Sequence, residues 1–383
     1  MELFVVKRKI AISVVVPLYK GREYIKKVSF MVNSASELFY QETGQLIELI
    51  FVNDYPEDIL HIDELEKSNV HLINNDRNLG IHASRIIGLR RSKGKYIHFL
   101  DQDDLIDKEY YVSQYTRIND NDVVVCNGKF RNSRVIIPDL SHADKITSKE
   151  AYFSSLSEIV SPGQTLIRRS SIPKEWTKYV LQNNYCDDAF LWVLMKNNNK
   201  QFTVNFEMLY VHVETGENAS QNWTVTREAL FELMKVIRTN NLIDKKYEQI
   251  LIPCIENKMD KHSRYETLEN DLKIVEKNPL ILKEYLIRNN YKNISLYGYG
   301  IIGKRFHCIC KSIGIKIGYS YDKGVLSTDD MEIYAIDQDA PIADIIIITP
   351  VQEKEVLMRE LRKRRKEPII GIDTLLSSVI EKM

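Results

Sequence analysis

Hydrophobic and polar positions in the first third of the chain alternate between two periods. Ile12 to Val16 is an unbroken β-branched run closed by Pro17, the pattern of a strand covered on both faces. Gly21 to Leu38 is polar with spaced apolar residues and predicts a helix. Ile47 to Val52 and Val70 to Ile73 read as two more strands, Ile81 to Ser92 as a helix, and Tyr96 to Leu100 and Val123 to Cys126 as further strands. Strands alternating with helices predict an α/β fold on a doubly wound sheet, in which ligands sit beyond the carboxyl ends of the strands. Pro17, Asp54 and Asp101 fall at such ends.

Beyond residue 130 the pattern is less regular, with one helix predicted around Asp188 to Asn197. Val225 to Asn290 is helical and strongly charged. After Lys292 a new α/β pattern opens with Asn293-Ile-Ser-Leu-Tyr-Gly298-Tyr-Gly300-Ile-Ile-Gly303, a strand followed by G-x-G-x-x-G at a helix start. The strand Ile315 to Tyr321 then ends at Asp322, where the dinucleotide fingerprint places an acid. Asp344 to Pro350 is a later buried strand, and Gln352 to Lys366 a basic helix. Three parts are predicted: 1–224, a helical connector over 225–290, and a small Rossmann-like module over 291–383. About 90 residues are fewer than two full mononucleotide halves require. The favoured reading of this module is a nucleotide-binding relic or docking module. NAD or another nucleotide at Gly298, Gly300 and Gly303 is the minority reading.

Composition narrows the class without choosing within it. The chain is 44% hydrophobic and 28% charged, with 53 basic and 53 acidic residues. That balance lacks the broad positive field of a nucleic-acid binder, so no nucleic-acid partner is expected. No stretch is long and apolar enough to span a bilayer. With no export signal and no CxxC pair among five cysteines, the expectation is a cytoplasmic chain with reduced thiols. The Arg359 to Lys366 cluster could give it peripheral contact with the inner membrane face.

The densest chemistry is Asp101-Gln102-Asp103-Asp104 after the apolar strand. Three acids in four residues repel one another unless a cation or hydrogen-bond donors compensate. They read either as a solvated turn capping the helix that starts near Lys108 or as a mount for a hard divalent cation. The neighbouring residues favour the cation. Ile12-Ser-Val-Val-Val-Pro17-Leu-Tyr19-Lys-Gly-Arg-Glu23 resembles the first strand and loop of the family-2 glycosyltransferases with the GT-A fold. Glu48 to Asp54 resembles their second strand, Asn78 to Leu89 their N-x-G-x(4)-R-x-x-G-L helix entry, and Gly94 to Asp104 their metal-binding strand. Lys20, Tyr55-Pro56 and Ile86 depart from the family's usual residues.

The resemblance implies a fold and a set of roles. The first part would be a GT-A domain using a nucleotide-diphospho-sugar, with UDP as the expected nucleotide. Pro17, Tyr19 and Glu23 would line the base and ribose pocket, Asp54 would hydrogen-bond the base, and Arg85 would contact the nucleotide side of the cleft. Asp101 would lie near ribose and metal, and Asp103 would bind Mn²⁺ or Mg²⁺ directly. Tyr185-Cys-Asp187-Asp188 resembles the family's E-D motif, which makes Asp188 the general base of an inverting transfer. Tyr210-Val-His212…Gly216…Ser220 resembles a segment whose histidine would ligate the metal or touch the diphosphate. Gly163-Gln164 is placed in an acceptor loop, and Trp176, Trp192 and Trp223 are sugar-stacking candidates whose default is core packing. The implied function is transfer of a sugar to a hydroxyl of a glycan or lipid-linked acceptor in bacterial surface polysaccharide synthesis. The rival readings are a nucleotide-binding regulatory protein and an NAD-dependent oxidoreductase.

Overall fold

The computed structural model describes residues 9–61, 69–156, 158–213, 222–322 and 328–381. Gly216 and Ser220 of the histidine segment lie outside the described residues. The chain divides into two compact units, Met1–Met259 and Asp260–Met383.

The first unit is built on an eight-stranded mixed sheet, ordered β3-β2-β1-β4-β7-β6-β8-β5. β1 (Ile10–Leu18), β2 (Leu46–Asn53), β3 (Val70–Asn74) and β4 (Tyr96–Phe99) form its parallel half. From Ala11 to Leu18, β1 is buried at every position, as a strand covered on both faces must be. α1 (Tyr24–Thr43) and α2 (Ile81–Arg91) connect within this half. α2 presses so closely on β1 that a Cβ on Gly88 would sit 2.2 Å from Val15 Cγ1. The buried Glu48 of β2 accepts bonds from Ser13 Oγ (2.5 Å) and Lys93 N (2.6 Å), so a charged residue inside the sheet fastens β1 to the turn before β4.

The other half contains β5 (Leu105–Ile106), β6 (Val123–Phe130), β7 (Thr165–Arg168) and β8 (Phe202–His212). The antiparallel β7 sits between β4 and β6, and β8 runs parallel to β6. The helices here are α3 (Tyr110–Ile118), α4 (Leu140–Thr147), α5 (Lys149–Ser155), α6 (Lys174–Lys178), α7 (Asp187–Asn197) and α8 (Trp223–Asn240). The irregular pattern beyond residue 130 therefore hides two strands and three short helices besides α7. α9 (Lys245–Lys277) begins in this unit, and the boundary between the units falls inside it.

The second unit holds α10 (Leu280–Arg288) and a five-stranded sheet ordered β11-β10-β9-β12-β13, every pair parallel. Its strands are β9 (Ile294–Tyr297), β10 (Ile317–Tyr321), β11 (Ile333–Tyr334), β12 (Ile345–Ile348) and β13 (Ile369–Gly371). α11 (Ile301–Ser312), α12 (Lys354–Arg362) and α13 (Ile372–Ile380) connect or follow them. The glycine motif joins β9 to α11. Gly298 has φ +96°, and a Cβ on Gly303 would lie 2.2 Å from the Gly298 carbonyl, so both are required by close packing of strand against helix. A Cβ on Gly300 would meet nothing within 4 Å. Asp322 accepts the Tyr299 N–H at 2.7 Å, tying the end of β10 to the glycine loop.

Candidate active site

The parallel strands β2, β1 and β4 end side by side, and a cavity of about 690 Å³ opens at those ends. Pro17, Leu18 and Tyr19 line it from β1, Asp54 from β2, and Asp101, Gln102 and Asp103 from the turn after β4. Arg85 enters from α2, Asp187 and Asp188 from the start of α7, and His212 from the end of β8. Glu23 is exposed at the start of α1 and does not line the cavity, so its expected place in the base pocket has no geometric counterpart here.

Asp54 is held by the residues that lead into α2. Its Oδ1 accepts from Asn75 Nδ2 and Leu79 N, and its Oδ2 from Gly80 N, each at 2.8 Å. A carboxylate offers about four acceptor positions, so one remains on Oδ2. At the rim, Tyr19 is 48% exposed and packs edge-on against Tyr55, ring centroids 5.4 Å apart. Lys20 Nζ stands 5.7 Å from both rings. Gln102 clips the two strand ends together by accepting the Tyr19 N–H (3.0 Å) and donating to the Tyr19 carbonyl (3.2 Å).

Arg85 lies on the buried stripe of α2 that also carries His82, Ile86 and Leu89, the i, i+3, i+4, i+7 spacing of a helix face turned inward. Its guanidinium donates to Asp101 Oδ1 (2.5 Å) and to Asp187 Oδ2 (2.6 Å). Burial works against this cation, and Asp187 and Asp101 more than restore it. The arginine expected at the nucleotide side thus ties the acidic turn to α7.

The three acids of the turn differ in their surroundings. Asp104 is fully buried and accepts from the Tyr210 hydroxyl and Val213 N (2.9 Å), with His212 Nδ1 at 3.2 Å and Ser161 Oγ, whose single proton it shares with Asp101, at 3.4 Å. It anchors the end of β8 to the turn. Asp101, bound by Arg85 and by Ser161 Oγ (3.2 Å), has its pKa raised by burial. Asp103 faces the cavity with no hydrogen bond from another side chain among the described residues. Burial, then Asp104 and Asp101, push its carboxyl up to about 6. His212 is raised in turn, because its bond to Asp104 and the surrounding acids outweigh burial.

Asp188 stands in the first turn of α7, and burial and the adjacent Asp187 lift it to about 7. The indole N–H of Trp176 donates to the Asp187 carbonyl (2.8 Å), which makes Trp176 a core residue that seats the helix start. Gly163 and Gln164 are buried behind Ser161 and do not line the cavity, nor does Trp223; Trp192 does. Sequence reasoning gave no role to Gln102 or Tyr210, although both stood inside quoted motifs, and missed Ser161 and Asn184. Ser161 before Pro162 carried a capping signal, since its hydroxyl accepts the Gly163 N–H at 3.0 Å. Asn184 carried none.

Among the described residues, no three histidine, cysteine or acidic side chains converge closely enough to enclose a cation. The donor chemistry nevertheless suits a hard one. Asp103 is an unpaired carboxylate short of positive charge, and His212, engaged through Nδ1, keeps Nε2 for a ligand. No described helix is long and apolar enough to cross a membrane.

Comparison with known proteins bears on the segment that carries the parallel strands. The model of the family described as "Glycosyl transferase family 2" matches residues 13–175, the segment that carries β1 to β7. The chain is 26% identical over 192 residues to the putative glycosyltransferase EpsH of Bacillus subtilis, covering 47% of this chain and 54% of that protein. It is 26% identical over 125 residues to the glycosyltransferase GlyG of Streptococcus pneumoniae, covering 32% of this chain and 39% of that one. The chain thus spans about half, or less, of the length of these relatives. The crystal structure of Staphylococcus aureus TarS 1-349 superposes with a TM-score of 0.46 and 22% identity over 67% of this chain and 73% of that one.

Proposed function

We propose that the chain is a nucleotide-sugar-dependent glycosyltransferase whose first unit has the GT-A arrangement and transfers with inversion. The observation that carries this reading is the convergence in one cavity of Asp54, Asp101 and Asp103 at parallel strand ends with Asp188 at the start of α7. The family match over the same strands supports it. Asp54 Oδ2 keeps an acceptor position for a base N–H, and Pro17 and Tyr19 border that end. A UDP-sugar is the proposed donor, since uracil N3–H can fill that position, as guanine N1–H also could.

Asp103 and His212, with Asp101 behind them, would hold Mn²⁺ or Mg²⁺, which neutralises the departing diphosphate when bound. The diphosphate's own oxygens would complete the coordination that these residues begin. As the acceptor oxygen attacks the anomeric carbon, Asp188 takes the hydroxyl proton. The bond from that carbon to the diphosphate oxygen breaks on the opposite face, and its electron pair leaves with the nucleotide. A base raised to about 7 is matched to this task near neutral pH. The acceptor would be a glycan or lipid-linked intermediate of surface polysaccharide synthesis. The second unit, with its glycine loop, reads as a Rossmann-like docking module.

The test is a panel of nucleotide sugars with Mn²⁺ or Mg²⁺, assayed for transfer and for slow donor hydrolysis. Asp188→Asn is expected to lower transfer at least 10³-fold while retaining nucleotide binding, a loss in the range of a positioned base and an obligatory proton path. Asp103→Ala is expected to remove metal-stimulated turnover. Absence of turnover with every donor, together with tight NAD binding lost on Gly300 substitution, would overturn the proposal.

A further inference from the structure

The cavity has a second end that the donor chemistry leaves unused. Beyond Asp188 its wall is made by Tyr152 of α5, Leu156 at the end of that helix, Ile159, Trp192 of α7 and Leu230 of α8. Each is at most 5% exposed, and the cation Lys258 also lines the cavity, within electrostatic reach of Cys186. The Tyr152 hydroxyl lies within electrostatic reach of Asp188, which places this wall beside the candidate base. The Trp192 indole N–H has no hydrogen-bond partner among the described residues.

Two residues lining this end have backbone conformations that bulky L-residues rarely adopt. Leu156 closes α5 at φ +53°, a position ordinarily given to glycine or asparagine. Tyr185 stands at φ +125°, just before Asp187 and Asp188. Its loop is clamped from two sides. Glu232 of α8 accepts the N–H groups of Gln182 (2.8 Å) and Asn183 (2.9 Å), and Asn184 Oδ1 accepts the Ile81 N–H at the start of α2 (3.1 Å). A local cost kept at two wall positions indicates side chains retained for what they contact.

We infer that this end is an acceptor subsite for an apolar group. The acceptor enters with an aryl or alkyl aglycone against Tyr152, Leu156, Ile159, Trp192 and Leu230, with Tyr185 at the mouth, and so brings its sugar hydroxyl to Asp188. A bare sugar in this end would find few pairing groups on a wall that is mostly aliphatic and aromatic, among them the Tyr152 hydroxyl and the Trp192 indole N–H, whereas an apolar aglycone gains by leaving water. The inference rests on the transferase reading, because Asp188 gives the subsite its meaning as an acceptor site.

The experiment compares p-nitrophenyl and methyl glycosides of glucose, galactose and N-acetylglucosamine. Affinity is measured by tryptophan fluorescence and calorimetry on the full chain, with UDP titrated separately. Aryl glycosides are expected to bind at least tenfold more tightly than methyl glycosides of the same sugar, with nitrophenyl quenching of tryptophan emission. Leu156→Gly and Tyr185→Gly relieve the backbone, so they are expected to fold, as judged by thermal melts, and to lose that preference. No aryl preference in the wild type, or a preference that survives in both folded variants, overturns the subsite. Should either variant fail to fold, the wild-type preference and the quenching decide the matter. Failure of UDP and other nucleotides to bind while the aryl preference holds would instead count against the transferase reading.

Discussion

At the scale of single residues, one acid of the cavity is kept from its ordinary state by its surroundings. Asp188 is raised from 3.8 to about 7 by burial and by Asp187, and Arg85 pulls it back in part. A base must be deprotonated to act, so transfer is expected to rise with pH along a limb centred near neutrality. The same shift has the opposite effect on stability. Between the ordinary carboxylate range and neutrality the folded chain holds a proton that the unfolded chain gives up. Stability from this group is therefore full at low pH and is lost as pH rises through the folded value. Rate against pH in the wild type, set beside urea midpoints of wild type and Asp188→Asn over the same range, checks both signs. A flat rate profile would remove Asp188 from the role of base. Asp104, three positions from Asp101, is by contrast consumed by Tyr210, Val213 and His212 and holds β8 in place.

At the scale of elements, Arg85 is the joint between α2, the turn after β4 and α7. Arg85→Met strands the buried Asp187 and the partly exposed Asp101 and is expected to cost about 3–5 kcal/mol, the usual penalty for halving a buried ion pair. Arg85→Lys keeps a charge but cannot fork between Asp101 and Asp187, so it is expected to hold stability better than it holds activity. Because Arg85 lowers the pKa of Asp188, any folded Arg85→Met protein should show its activity limb displaced to higher pH. A limb that stays in place would show that the arginine acts on stability alone. Much of this architecture was legible. β1, β2 and β4 announce themselves because strands buried on both faces are continuous apolar runs, and their ends carry the acids. β8 was not legible, because Phe202 to His212 mixes polar and apolar positions and its pairing with β6 shifts register at Asn127. β6 was read only to Cys126 for a related reason: Asn127 and Gly128 resemble a turn, yet Asn127 spends its side chain on the Ile137 backbone and the strand continues to Phe130. In the cavity, strand ends could be read from periodicity, but partners could not. Nothing local told that Arg85 would face two carboxylates, or that Glu23 would stay in solvent.

At the scale of the whole molecule, each unit has its own core, and that of the second is divided between two clusters. The core of the first unit runs from Ala11 to Ile255, and that of the second gathers Leu268, Leu296, Phe306, Ile347 and Leu376. The division falls inside α9, a place that composition did not mark, because a charged helix reads the same whichever core its apolar positions serve. Separate cores imply separate loss of structure, and the sequence supplies a reporter that distinguishes them. All three tryptophans, Trp176, Trp192 and Trp223, belong to the first unit. Gly303→Ala places a methyl 2.2 Å from the Gly298 carbonyl, against backbone that cannot yield as a flexible side chain would. Overpacking of this kind costs about 1–3 kcal/mol, which in a domain of this size lowers a melting temperature by roughly 5–15 °C. The far-ultraviolet circular dichroism melt is therefore expected to gain an earlier component in the variant, while the tryptophan fluorescence transition and UDP affinity stay where they were. If the fluorescence transition moved by the same amount, the two units would be unfolding as one, and the glycine loop would bear on the stability of the cavity-bearing unit itself.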